Sequence, residues 1–245
     1  MGFLYDYKTR KSKVEEILDN TDGVKDVTTF PVDGSFTYTN GYKAWTTALF
    51  VDLRKSTELF SNEDEIEISK VIRGFTSEII EILKQDMSDN ILKEIGIRGD
   101  CVYSIYSTPT KDDVYKIYYR ACVINTYMKM LNKLLNKRKL PQIRAGIGIS
   151  TGKTLAVKAG RKSSGINNLV WIGKTVAEAS KLADKGNKDD FGPIVISNIH
   201  YNNIIDKQKE KNPQAPTWWT NHNGFYSANI IISDFNQWID DGMKD

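Results

Sequence analysis

The segment Trp45-Thr-Thr-Ala-Leu-Phe-Val-Asp52 constrains the fold more than any other stretch of this chain. β-branched and aromatic residues dominate it, and no charge interrupts it before the aspartate that ends it. Such near-continuous apolar character predicts a buried central strand. An unpaired carboxylate at the end of such a strand carries a large desolvation penalty, which a divalent cation would offset. Asp52 is therefore the first candidate for chemistry.

The surrounding pattern supplies the layers. Ile66, Ile68, Val71, Ile72, Phe75, Ile79, Ile80 and Leu83 fall at helical spacing, predicting a helix that starts at Ser61-Asn-Glu-Asp64 and runs to about Gln85. Ile91 to Tyr106 reads as two strands joined at Gly99-Asp100, a tight-hairpin signal. A long helix is expected from Lys111 to Lys137, its lysines forming a solvated face. Gln142 to Ser150 reads as a strand closed by a turn at Thr151-Gly152, with short strands at Leu155–Val157 and Leu169–Ile172. Gly173 opens a helix to about Asp184, and Ile194–Ile196 is a further strand. Asn223-Gly224 marks a second hairpin, between Trp218–Thr220 and Phe225–Ile232, and a short helix follows from Phe235 to Met243. Residues 1–40, with a short helix at Ser12–Asn20, are expected to be peripheral, and residues 41–245 to form a single domain. Long helices alternating with strands and hairpins predict an α+β sandwich: a mixed, mostly antiparallel sheet with helices packed on it.

Composition narrows the chemistry. The 245 residues carry 34 basic and 31 acidic side chains, a net charge of +3, which does not suit duplex nucleic acid but permits a small anionic ligand. No apolar run approaches the ~18–20 residues that span a bilayer, so no membrane insertion is expected. Cys101 and Cys122 form no CxxC pair, which argues against a disulfide scaffold and for a reducing cytoplasm. His200 and His222 are the only histidines, too few for a histidine-rich metal site, so any metal would be a hard cation on carboxylates.

Asp100, at the hairpin tip, is the second such carboxylate. Taken singly, a strand-end aspartate or a Gly-Asp pair is most often a cap or turn residue. If the first strand lies beside the hairpin, Asp52 and Asp100 together could hold two Mg²⁺ or Mn²⁺ ions. Lys55, Ser56 and Thr57 then offer successive backbone N–H groups to phosphate oxygens.

Four ordered motifs, covering residues 44 to 198, resemble the class III nucleotide cyclases: Phe50-Val-Asp52-Leu-Arg-Lys-Ser-Thr57, Gly99-Asp100-Cys-Val-Tyr103, Arg144-Ala-Gly-Ile-Gly-Ile-Ser-Thr-Gly152 and Gly173-Lys-Thr-Val-Ala-Glu-Ala-Ser-Lys-Leu182. The resemblance implies a homodimer with active sites at the interface and two metal ions per site held by Asp52 and Asp100. It further implies attack of a ribose 3′-hydroxyl on the α-phosphate of a nucleoside triphosphate. Phe50 and Leu53 would help through packing and a backbone carbonyl. The family's ribose-binding Asn is Ala177 here, and its transition-state Arg is Lys181, which keeps the charge but loses the planar fork. The positions that read purines hold Gly96 and Val170. Loss of both readers argues against purine specificity and makes the chain similar to the bacterial pyrimidine cyclases of Pycsar antiphage defence. Uridylate cyclase activity, UTP to 3′,5′-cyclic UMP and pyrophosphate, is the favoured expectation. A cytidylate or adenylate cyclase, or an inactive nucleotide-binding module, are the alternatives. Arg98, a donor-only side chain, would favour uracil oxygens if it faces the base, but equally suits phosphate or Glu94. Trp171 is placed either as a stacking surface for the base or in the core, and Lys93 is a further candidate contact.

Overall fold

The computed structural model describes residues 5–20, 22–62, 64–160 and 167–244. The expected central strand is β2 (Gly41–Leu53), with β1 (Val24–Asp26) parallel beside its start. One flank of β2 pairs antiparallel with β4 (Cys101–Ser107), itself bordered by β3 (Leu92–Arg98). The other flank pairs along its whole length with β5 (Ala145–Gly160). Beyond β5 lie β6 (Asn167–Ile172) and β7 (Ile194–Ser197), then β9 (Phe225–Ala228) and β8 (Thr220–Asn221). The sheet is mixed and mostly antiparallel, with helices packed on it, as the patterning required.

Strand alternation divides the sheet into two unlike faces. One carries Leu49, Val51, Val102, Tyr106, Ile147, Ile149, Ile194 and Ile196 into the main core. Against it pack α3 (Glu65–Lys84), α4 (Lys111–Lys137) and α6 (Asn198–Lys211). In α3 the buried positions Val71, Phe75, Ile79 and Leu83 recur every fourth residue, so a single stripe meets the sheet. Burying each such side chain is worth about 1.5–3 kcal/mol. The opposite face carries Ala48, Phe50, Cys101, Tyr103 and Ile105, and is covered by α5 (Lys174–Lys185).

Several local expectations change. The turn expected at Thr151-Gly152 is absent, because β5 runs unbroken through it. Gly152 instead lies under α5: a Cβ there would sit 2.8 Å from Thr175 Oγ1. The helix expected from Ser61 splits into α2 (Ser56–Asn62) and α3, whose N-cap is Asp64; Glu63 lies outside the described residues. The last strand stops at Ala228, where Asn125 donates side-chain hydrogen bonds to Asn229 Oδ1 and the Ile230 carbonyl. Its hairpin turn stands, with Asn223 at φ 54°. The closing helix is α7 (Ser233–Asp240). α6 had no counterpart in the sequence reading, because half of its buried positions are the polar His200 and Gln208. The first forty residues contribute α1 (Tyr7–Asp19), which buries nothing, but also β1 and the buried rings Phe30 and Phe36.

Candidate active site

The β2–β4 register sets Asp52 directly opposite Cys101. Asp100 precedes Cys101 in a two-residue turn whose first position, Gly99, takes φ +63°, the left-handed value a II′ hairpin needs. Two aspartates 48 residues apart in sequence are thus brought to one end of the sheet. Burial raises the Asp52 carboxyl above the ordinary aspartate range; Arg54 opposes this, while the negative charges of Asp100 and Asp184 add to it. The same surroundings, burial foremost, push the Cys101 thiol up to about 12, so it stays protonated at neutral pH and is no nucleophile.

Arg54 is the site residue that sequence reasoning passed over. Its side chain is only 5 % exposed. Nη2 donates to Asp52 Oδ2 at 2.5 Å, to the Asp52 carbonyl at 3.1 Å and to the Ala183 carbonyl at 3.1 Å. Nη1 donates to the Asp184 carbonyl at 2.8 Å. One guanidinium therefore ties the end of β2 to the end of α5. Its signal was an arginine two residues after the strand-end aspartate, where alternation returns a side chain to the same face.

The position of α5 depends on two glycines. Gly146 and Gly148 lie opposite Asp52 and Phe50 in the β2–β5 register. A Cβ on Gly148 would sit 2.1 Å from the Ala179 carbonyl and the Ala183 nitrogen; one on Gly146 would sit 2.2 Å from the Ala183 carbonyl. The helix backbone thus rests directly on the strand. Glu178 accepts from Ser150 Oγ at 2.6 Å and pins the same helix. Lys181 and Ala177 are exposed on α5.

Lys55 adopts φ 56°, and its carbonyl accepts from Leu59 N, turning the chain from β2 into α2. Ser56 and Thr57 open that helix, so their N–H groups are in its first turn. A cleft of about 430 Å³ beside this turn is lined by Arg54, Lys55, Gln142 and Arg144, among others. Leu53 ends β2 between Asp52 and Arg54.

Further along the same face, Phe50 stacks on Tyr103 at 5.2 Å and 15°. Arg98 lies opposite Cys101, its guanidinium 6.0 Å from the Tyr103 ring. Glu94 accepts from Tyr103 Oη at 2.5 Å and from Trp171 Nε1 at 2.6 Å. Trp171 is half-buried and packs edge-on against Phe30 at 5.1 Å, so its ring is a wall of this region held from behind. Lys93 Nζ donates to the Asp89 carbonyl, away from this cluster.

The hard oxygen donors at this end of the sheet are the carboxylates of Asp52 and Asp100, near enough that the charge of Asp100 acts on Asp52. The raised Asp52 carboxyl marks a place where added positive charge is favoured. Among the described residues no group of three or more His, Cys, Asp or Glu side chains is placed to hold a metal ion. Two carboxylates with the remaining coordination left to water and phosphate is the pattern of Mg²⁺ in phosphoryl-transfer sites.

A central antiparallel strand pair ending in two carboxylates, with a helix laid on it through glycines, is the architecture of a class III nucleotidyl cyclase. The chain belongs to the family of adenylate and guanylate cyclase catalytic domains, which matches residues 40–212. It is 48% identical over 241 residues to a uridylate cyclase of Treponema porcinum, covering 98% of this chain and 83% of the relative. It is 27% identical over 252 residues to a uridylate cyclase of Gulbenkiania mobilis, covering 97% and 96% respectively. The adenylyl cyclase CyaB from P. aeruginosa shares the fold with a TM-score of 0.59 at 22% identity, covering 68% of this chain and 83% of that one.

Proposed function

We propose that this chain is a homodimeric, divalent-metal-dependent uridylate cyclase that converts UTP to 3′,5′-cyclic UMP and pyrophosphate. The observation that supports the reading is the β2–β4 register, with Asp52 and Asp100 at the same end of the sheet. The two relatives described as uridylate cyclases support the choice of base. Residues 41–245 are read as the catalytic domain, acting in the cytoplasm; among the described residues no helix is long and apolar enough to cross a membrane. On the resemblance to the Pycsar cyclases, the product would act as a messenger in antiphage defence.

Asp52 and Asp100, with the Leu53 carbonyl, would hold Mg²⁺ or Mn²⁺. Bound ions of this kind lower the pKa of a hydroxyl nucleophile and neutralise triphosphate charge. The protein's own share is positioning, which dominates phosphoryl-type chemistry. Arg54 fixes the Asp52 carboxylate. The N–H groups of Ser56 and Thr57, with Lys55, receive phosphate oxygens. Phe50, Tyr103, Arg98 and Trp171 bound the region where the base lies. Lys181 of the partner subunit supplies a point charge to the α-phosphate, its exposure on α5 making it available across an interface.

The test is incubation of the purified protein with each of the four NTPs and Mn²⁺, following pyrophosphate and cyclic product. Cyclic UMP from UTP is expected. Product from ATP alone would overturn the pyrimidine assignment, and no product from any NTP would leave only a nucleotide-binding module. Asp52→Ala and Lys181→Ala should each be inactive, yet a mixture of the two should regain activity through mixed dimers carrying one intact site. Failure of the mixture, with both variants folded and dimeric, would remove the shared-site arrangement.

A further inference from the structure

We infer that Glu94 is a positioning residue that makes the site select a single-ring base, acting through Tyr103. The inference rests on the reading above and extends it to the means of discrimination.

Both oxygens of the Glu94 carboxylate are engaged, one by the Tyr103 hydroxyl at 2.5 Å and the other by the Trp171 indole N–H at 2.6 Å. These partners come from β4 and β6, so one carboxylate sets two aromatic rings from separate parts of the sheet. Tyr103 is further held flat by its stacking on Phe50. Beneath it lies Gly96, its partner across the β3–β4 ladder. A Cβ on Gly96 would come within 2.4–2.5 Å of the Tyr103 ring and hydroxyl. Gly96 is therefore more than a missing side chain: the volume that a residue there would occupy is filled by the Tyr103 ring.

The row Gly96, Tyr103, Phe50 lies two residues from the row Arg98, Cys101, Asp52 on the same face. At about 3.3 Å per residue the two rows stand ~7 Å apart, the scale of a ribose between a base and its phosphates. A ring locked at that distance from the carboxylates limits the depth available to the base. Glu94 holds the lock, because an unbonded Tyr103 hydroxyl would leave the ring free to swing about χ1 and open the space.

The readout is the ratio of kcat/KM for UTP to that for ATP, measured with Mn²⁺ for the wild-type protein and for Glu94→Ala, Glu94→Gln, Tyr103→Phe and Tyr103→Ala. Glu94→Ala and Tyr103→Ala should lower the ratio by about tenfold or more, through a higher KM for UTP and new turnover of ATP. Glu94→Gln, which retains one acceptor, and Tyr103→Phe, which retains the ring, should fall between these and wild type. A merely structural role would lower turnover of both nucleotides together and leave the ratio within about twofold of wild type, which overturns the inference. If Glu94→Ala does not fold, Tyr103→Phe, which removes only the hydroxyl, decides by the same ratio. Wild-type protein that makes no cyclic UMP would instead overturn the functional reading, and the inference with it.

Discussion

Replacing Arg54 with alanine removes the guanidinium that hydrogen-bonds the end of β2 to the end of α5. The change leaves the Asp52 carboxylate without its cationic partner and takes a donor from the Ala183 and Asp184 carbonyls. Breaking a buried ion pair from one side costs about 3–5 kcal/mol. The Asp52 side chain is 28 % exposed, so water recovers part of the loss and places the cost near the lower end, about 3 kcal/mol. For a chain of this length each kcal/mol shifts Tm by about 2–4 °C, giving a fall of about 6–12 °C. Arg54→Lys keeps the charge but cannot reach four acceptors from one nitrogen, and should recover only part of it. The sign of the pH dependence follows from Asp52. Its folded carboxyl is raised above the unfolded value of 3.8, so its contribution favours folding at low pH and is lost as pH rises through the folded value. Without Arg54 the carboxyl rises further, and stability should fall more steeply than in wild type as pH rises above the unfolded value of 3.8. Thermal unfolding by circular dichroism, free of divalent ions, measures both effects, with the exposed Lys55→Ala as control. Arg54→Ala melting within about 2 °C of that control would refute the idea that this guanidinium holds the site together.

Gly148→Ala places a methyl group 2.1 Å from the α5 backbone. It should cost at least the ~1–3 kcal/mol of ordinary overpacking and abolish cyclase activity, whereas Gly34→Ala, in open space, should do neither. Asp52→Asn takes the anionic partner from Arg54, whose side chain is only 5 % exposed, so Tm at pH 7 without divalent ions should fall. The same variant should lose the stabilisation that Mn²⁺ gives wild type, which is about 2.7 kcal/mol at a hundredfold excess over Kd; a retained Mn²⁺ shift would remove Asp52 from the metal site. His200 is fully buried beside Thr151, and burial lowers its pKa from 6.5 to about 3. Its neutral form therefore stabilises the fold above pH 6.5, and that stability is lost by about 1.4 kcal/mol per pH unit as pH falls toward 3. His200→Gln should flatten the acid limb of a urea-midpoint-against-pH curve, and an unchanged slope would exclude His200 as its source.

Local pattern alone identified β2, the Gly99-Asp100 hairpin, the long α4 and the helix that opens at Gly173, because apolar spacing and turn residues report which face of each element is buried. It missed α6, whose buried face is half polar and presents no apolar period, and it read Gly152 as a turn when the residue is small to admit Thr175. Asp52 and Asp100 could be named beforehand because each ends or punctuates a strand, but their placement at one end of the sheet waited on the register that sets Asp52 opposite Cys101. Arg54 is bonded to α5 across 129 and 130 residues, and Glu94 to Trp171 across 77. No periodicity encodes such pairings: a one-residue slip in either ladder would send these side chains to the other face, and only the closed sheet with its packed helices fixes which register forms.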